Sequence, residues 1–143
     1  MHTVKRSVLV PFSTEQMFNL VADVEKYPEF MPWCGGAEVR HQDEHGMEAA
    51  VTISIAGVRQ TFATRNEHEF PNRIQLSLIE GPFSDLKGDW EFIPLGEDGC
   101  KVVFIMEYAF ANRALELVVG PIFNRVANSF IDSFTRRAHE LYD

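Results

Sequence analysis

Apolar and polar residues alternate along this chain in two different periods, and each change of period marks an element. The opening stretch from Thr3 to Phe12 is rich in Val and closes around Pro11, which predicts a strand. Ser13 followed by Gln16 is a capping box. Met17, Phe18, Leu20 and Val21 then recur at helical spacing. That helix ends near Asp23, which stands where it could cap a second short turn through Val24, Glu25 and Lys26, stopped by Pro28. The stretch from Tyr27 to Gly36 contains Pro28 and Pro32, which forbid regular helix, and its paired glycines end it. It also carries Tyr27, Phe30, Met31 and Trp33, so this aromatic loop must pack onto something or hold something.

From Ala37 to Ala109 the period becomes two. Met47, Ala49, Val51, Ile53 and Ile55 fall on one face, and Thr61 to Thr64 sits inside a strand from Arg59 to Glu69. Ile74, Leu76 and Leu78 share a face, as do Trp90 and Phe92, and as do Val102, Phe104, Met106 and Tyr108. Turn signals separate these runs: Gly57, Pro71-Asn72, Gly81-Pro82 and the loop Gly96 to Gly99. Six short strands with tight connections indicate an antiparallel meander. After Asn112, a plausible N-cap, Leu115, Val119, Ile122, Val126, Phe130, Phe134, Ala138 and Leu141 step by three or four. Phe123, Ala127 and Ile131 widen that stripe. Pro121 either kinks this helix or begins a new one. From Pro121 to Asp143 it would run about 34 Å, enough to cross a small sheet. The order is therefore strand, short helices, six strands, long helix, with no repeat or linker. A curved sheet of this kind buries its concave face by gripping the helix.

Composition narrows the function. With 143 residues, 45% hydrophobic and 24% charged, the chain reads as one domain spanning 1–143, and it has no apolar run long enough to cross a membrane. The net charge of −8 falls entirely in residues 1–111, because the last helix balances four Arg against two Asp and two Glu. So acidic a chain is a poor general binder of nucleic acid, and no DNA partner is expected. Cys34 and Cys100 make no zinc spacing and no disulfide framework. The opening residues show no signal-peptide pattern, so a cytosolic protein, or a mature chain with its leader removed, is expected.

Candidate chemistry is sparse. No metal-ligand spacing and no nucleophile motif occurs. His41 and His45 flank an acidic turn and read as a solvated hairpin tip. Glu67, Glu91 and Glu107 lie on strands, and one of them buried with a raised pKa could serve as a general acid or base; an enzyme would need a buried ionisable residue beside the apolar walls, with Arg65, Glu67 and Glu107 the first candidates. Gly81-Pro82-Phe83 reads equally as a lid over a cavity mouth or as a hairpin plugged by its own Phe. Twelve Phe and two Trp supply large apolar walls. These either fill the core or line a cavity between sheet and helix.

The strings VADVEKYPEFMPWC, FATRNE, GPFSDLKGDWEF and SFIDSFTRRAHELY together resemble the coenzyme-Q-binding START-domain family. Its bacterial relatives include the ribosome association toxin RatA family, and both fall in the polyketide cyclase/dehydrase branch of the START-like superfamily. The resemblance runs from Val4 to Tyr142. The family signature falls on Tyr27, Pro28, Phe30, Pro32, Trp33 and Cys34, then on Gly81, Pro82, Phe83, Leu86, Gly88, Trp90 and Phe92. It implies an α+β helix-grip fold: a curved seven-stranded antiparallel sheet around a long C-terminal helix, with two short helices after the first strand.

The same resemblance implies non-catalytic binding of ubiquinone or a similar isoprenoid lipid in the cavity, supporting respiration, with no cofactor required. The alternatives it implies are binding to the large ribosomal subunit that blocks subunit association, and a cyclase-type enzyme using the same cavity. Alternation and helix spacing put Phe30, Trp33, Phe62, Phe83, Leu86, Trp90, Phe92, Phe104, Met106, Phe123, Ala127 and Phe130 forward as ligand-binding residues. Transient membrane contact, peripheral to the inner membrane, is expected to use Phe83, Leu86 and the Met31-Pro32-Trp33 loop. A ribosomal surface is expected around Arg125, Arg136 and Arg137.

Overall fold

Seven strands form one antiparallel sheet in the order β1-β7-β6-β5-β4-β3-β2 in the computed structural model, which describes all residues from Met1 to Asp143. The strands are β1 His2–Val10, β2 Cys34–Asp43, β3 Gly46–Ile55, β4 Val58–Glu69, β5 Arg73–Glu80, β6 Phe83–Leu95 and β7 Gly99–Phe110. Helix α1 (Thr14–Ala22) and a 3₁₀ helix (Val24–Glu29) follow β1, and α2 (Arg113–Tyr142) closes the chain. This is the helix-grip architecture that the family resemblance implies, and it keeps the order of elements read from the periodicity.

Local chemistry explains the ends. Ser13 Oγ accepts from the Gln16 backbone N–H at 3.1 Å, and Gln16 Oε1 accepts from the Ser13 N–H at 2.9 Å. Asn112 Oδ1 accepts from the Leu115 N–H at 2.9 Å. Asp23 departs from expectation: its side chain caps nothing, and its backbone N–H closes α1 on the Asn19 carbonyl. The paired glycines do not end an irregular stretch but lie inside β2, at a register shift between Cys34 and Gly36. A Cβ on Gly35 would stand 2.8 Å from the Ser54 Cβ, so close approach requires glycine there. Strand β6 starts at Phe83, directly after the Gly81-Pro82 break. Pro121 neither breaks nor restarts the last helix. It lies on the exposed side, where the carbonyl left without its N–H partner meets water.

Inward residues of all seven strands, of α1 and of α2 build one core of 33 buried residues. Helix α2 rests on β1 and β7, where Arg6 donates to the Asn128 carbonyl at 2.6 Å and meets Asp132 at 3.1 Å. No helix of the chain is long and apolar enough to cross a membrane.

Candidate functional site

The sheet curls away from α2 on its β3–β4 side. There β3 presents small side chains, Ala49 and Val51, opposite the bulk of Trp90 and Met106. A narrow cavity of about 60 Å³ remains between sheet and helix. That is room for a few water molecules, and a drug-sized guest would need the walls to part. Val21 and Ala22 of α1, Val24 and Tyr27 of the 3₁₀ helix, and Trp33 form its roof with Phe130 and Phe134 of α2. Ile74 and Leu76 of β5 complete the apolar floor.

Strand β4 supplies the polar part. Phe62, Thr64, Asn66 and His68 alternate inward, and all four line the cavity. Thr64 Oγ1 donates to Asn66 Oδ1 at 2.6 Å. His68 packs edge-on to Phe18 at 5.4 Å, and its buried Nε2 has no hydrogen-bond partner. Burial, and secondarily the Arg65 charge, hold its pKa below the ordinary histidine value, so the ring is neutral. The Trp33 indole N–H is likewise buried and unpartnered, in a residue only 4% exposed. The Tyr27 hydroxyl donates to the Val21 carbonyl, and burial raises its pKa well above the phenol range. No carboxylate, lysine or arginine reaches the wall.

Of the twelve residues put forward from the sequence, the cavity wall brings together Trp33, Phe62, Trp90, Met106 and Phe130. The other seven lie elsewhere. Phe104 is fully buried behind Trp90, ring centres 4.4 Å apart, and Phe92 stacks parallel to Trp90 at 6.3 Å. Phe30 packs outside on Phe134 at 5.7 Å, beneath the Arg137 guanidinium at 5.1 Å. Phe83 and Phe123 meet at 4.8 Å in an aromatic cluster with Tyr108, whose ring lies 4.7 Å from Phe123. Leu86 and Ala127 are fully buried in the core. Alternation says which side of the sheet a residue faces. It does not say whether the helix touches that part of the sheet or stands off it.

Other surface expectations change as well. Phe83 plugs its own hairpin and is not a lid. Phe83, Leu86, Met31 and Trp33 are buried, so only Pro32 of the membrane-contact set is exposed. Arg65, Glu67 and Glu107 are on the outer side of the sheet, where Arg65 pairs with Glu67 at 2.9 Å and with Asp43 at 3.2 Å. Arg137 is engaged with Glu29 at 3.2 Å, whereas Arg125 is exposed. The histidines of the β2–β3 hairpin, His41 and His45, are solvated as expected. The residues missed were apolar ones of α1, the 3₁₀ helix, β3 and β5, and Phe134 of α2, together with the polar row of β4. The signal of that row was present as T-x-N-x-H in phase with Phe62, but polar residues at inward positions resemble the outward set.

Comparison with known proteins agrees with this geometry. Residues 10–135 match the model of the polyketide cyclase / dehydrase and lipid transport family. The chain is 46% identical over 142 residues to the ribosome association toxin RatA of Vibrio cholerae, covering 99% of both chains. It is 42% identical to the persistence and stress-resistance toxin PasT of Escherichia coli, covering 99% of this chain and 90% of that one. A mitochondrial coenzyme Q-binding protein, COQ10 homolog B of Xenopus laevis, is 24% identical over 95% of this chain and 57% of its own length. Among solved structures, the Zhui aromatase/cyclase from Streptomyces superposes with a TM-score of 0.85 at 14% identity, over 96% of this chain and 93% of that one. That likeness concerns the fold. The 18 kDa protein CC1736 of Caulobacter crescentus superposes with a TM-score of 0.76 at 32% identity over 99% of both chains.

Proposed function

This chain belongs to the polyketide cyclase/dehydrase and lipid transport family, and from that premise we propose that it associates with the ribosome through its large subunit. One observation carries this reading: 46% identity over 99% of both chains to a relative named for ribosome association. It reverses the order reached from sequence alone, which put quinone carriage first. The relative named for coenzyme Q binding is far more distant, at 24% identity.

The surface offers a physical basis despite the net −8. Arg113, Arg125 and Arg136 are exposed along α2 and form no ion pair, unlike Arg6 and Arg137. They are spread over about 35 Å at 1.5 Å per residue, three well-separated cations of which Arg125 and Arg136 share one face of the helix. In sucrose gradients the purified chain is expected to co-sediment with large subunits at low salt and to release steeply as salt rises. Arg125→Glu with Arg136→Glu is expected to lower that retention about ten-fold or more. A chain that stays at the top of the gradient at every salt concentration would sink the reading.

A second reading is that the cavity holds an apolar ligand, of which ubiquinone or another isoprenoid lipid is one candidate. It is supported by a cavity wall that is mostly apolar, with Thr64, Asn66 and His68 as its polar row. Mass spectrometry of organic extracts from protein purified without detergent is the direct test. A stoichiometric lipid is expected in the native chain and absent from the cavity-filling variant Ala49→Phe. Extracts empty of lipid would count against it.

A further inference from the structure

The exposed side of α2 changes character along its length. In its first half Ala114, Leu117, Val118 and Pro121 share the outward face, at the spacing of one helix stripe. Leu117 is 62% exposed and Val118 63%, so two adjacent branched aliphatic side chains stand in water. From Arg125 onward the same face is polar, with Asn128, Asp132 and Arg136. The inward face shows no such change: Val119, Phe123, Val126, Ala127 and Ile131 are all buried. The helix thus has a complete core-facing set without Leu117 and Val118, and the outer stripe is free for another surface. Arg113 and Arg125 border it, both exposed and free of ion pairs. The acid within the stripe's length, Glu116, is turned to His2 at 3.4 Å, and Asp132 is held by Arg6.

Resting on the proposal that the chain meets the large ribosomal subunit, we infer that this stripe docks on a protein component of that subunit, an apolar ridge bordered by carboxylates. The charge at its borders calls for acids, and its centre calls for apolar side chains. RNA does not offer that centre: aliphatic groups neither neutralise a phosphate, nor hydrogen-bond a base edge, nor supply a ring for stacking. A second copy does not fit either. A two-fold pairing of the stripe, centred near Val119, sets Arg113 of one chain against Arg125 of the other, cation on cation. A membrane is disfavoured by the net −8, which an anionic lipid surface repels, and by a stripe only about 10 Å long. The apolar contact adds an attraction that salt does not screen, beside the arginines whose attraction it does.

The test is binding of the full chain, native and Leu117→Ser with Val118→Ser, to purified large subunits across a salt series, and to the protein-stripped RNA of the same subunits. The double substitution is expected to weaken binding to intact subunits about ten-fold or more at every salt concentration, leaving the salt slope unchanged. On the stripped RNA it should bind as the native chain does. Its melting curve should match the native one, because both side chains are exposed. Equal binding of native and substituted chains to intact subunits would overturn the inference and leave the ribosome reading standing. Weakening of the same size on stripped RNA would overturn it too, since the stripe would then face nucleic acid. Sedimentation of the chain alone and flotation with phosphatidylglycerol vesicles address the other occupants. A dimer or a vesicle-bound fraction that the double substitution abolishes would overturn the inference. A native chain that binds neither subunits nor RNA at any salt concentration would overturn the ribosome reading and this inference with it.

Discussion

At the scale of single residues, the tightest constraint on the polar row comes from outside the cavity. Gly46 opens β3 with φ at +158°, and a Cβ there would fall 1.9 Å from the backbone oxygen of Asn66. That contact is with backbone, so no side-chain rotation relieves it. Gly46→Ala must push β4 away at the residue that carries the cavity amide. The expected cost is about 3 kcal/mol, the range of strain at a special backbone position. Differential scanning calorimetry should show the melting temperature lowered by roughly 6–12 °C for a domain of this size. A variant that melts with the native protein would show that β4 is free to shift. Burial sets the two cysteines apart from this chemistry. Both thiols are buried and free, and burial pushes Cys100 up to about 11, so neither is a ready nucleophile.

At the scale of elements, α2 has two jobs divided along its length. Near its start, Phe123 is fully buried among Phe62, Phe83 and Tyr108, a solid aromatic plug. Further along, Phe130 is half-buried on the cavity wall between Trp33 and Phe104. Phe123→Ala is expected to cost about 3–5 kcal/mol in urea unfolding, as large core truncations do. Phe130→Ala should cost clearly less, because it enlarges an existing void, and should alter ligand retention instead. Equal losses at both positions would mean that the helix packs uniformly. Much of this was legible in advance. The period of two placed Met47, Trp90 and Met106 on the inner face, the capping residues placed both α-helices, and the long stripe placed α2. What alternation could not supply was depth: Phe104 and Trp90 have the same parity, yet one lines the void and the other lies behind it. The polar row was obscured for a related reason. Thr64, Asn66 and His68 are inward in β4, where a polar residue is expected outward unless a ligand or cavity gives it a role.

At the scale of the whole molecule, acid is expected to erode stability in two stages. His68 has a folded pKa below its unfolded value of about 6.5. Between those values the unfolded chain binds more protons, so stability falls as pH drops below about 6.5 and levels off once the folded ring titrates. Asp43 is held down to about 2 by hydrogen bonding to Arg65 first and to the His45 N–H second. Its contribution is present above the ordinary carboxylate range and is lost as pH falls towards 2. Urea midpoints measured from pH 8 to pH 3 should show both stages, and His68→Asn should remove the first alone. A midpoint that stays flat from pH 7 to pH 5 in the native chain would contradict the neutral, buried ring. The order of the strands has a consequence for how the chain is made. The hairpins from β2 to β6 join neighbours in sequence and can form as they emerge from synthesis. By contrast, β1 pairs only with β7, matching Val4 to Met106 and Val10 to Cys100. The first strand synthesised therefore waits, unpaired, for almost the last, and closing so long a loop is an entropic cost met late. Until then its backbone is an open edge, and the nascent chain is most exposed to mispairing and aggregation in the interval before its final helix arrives.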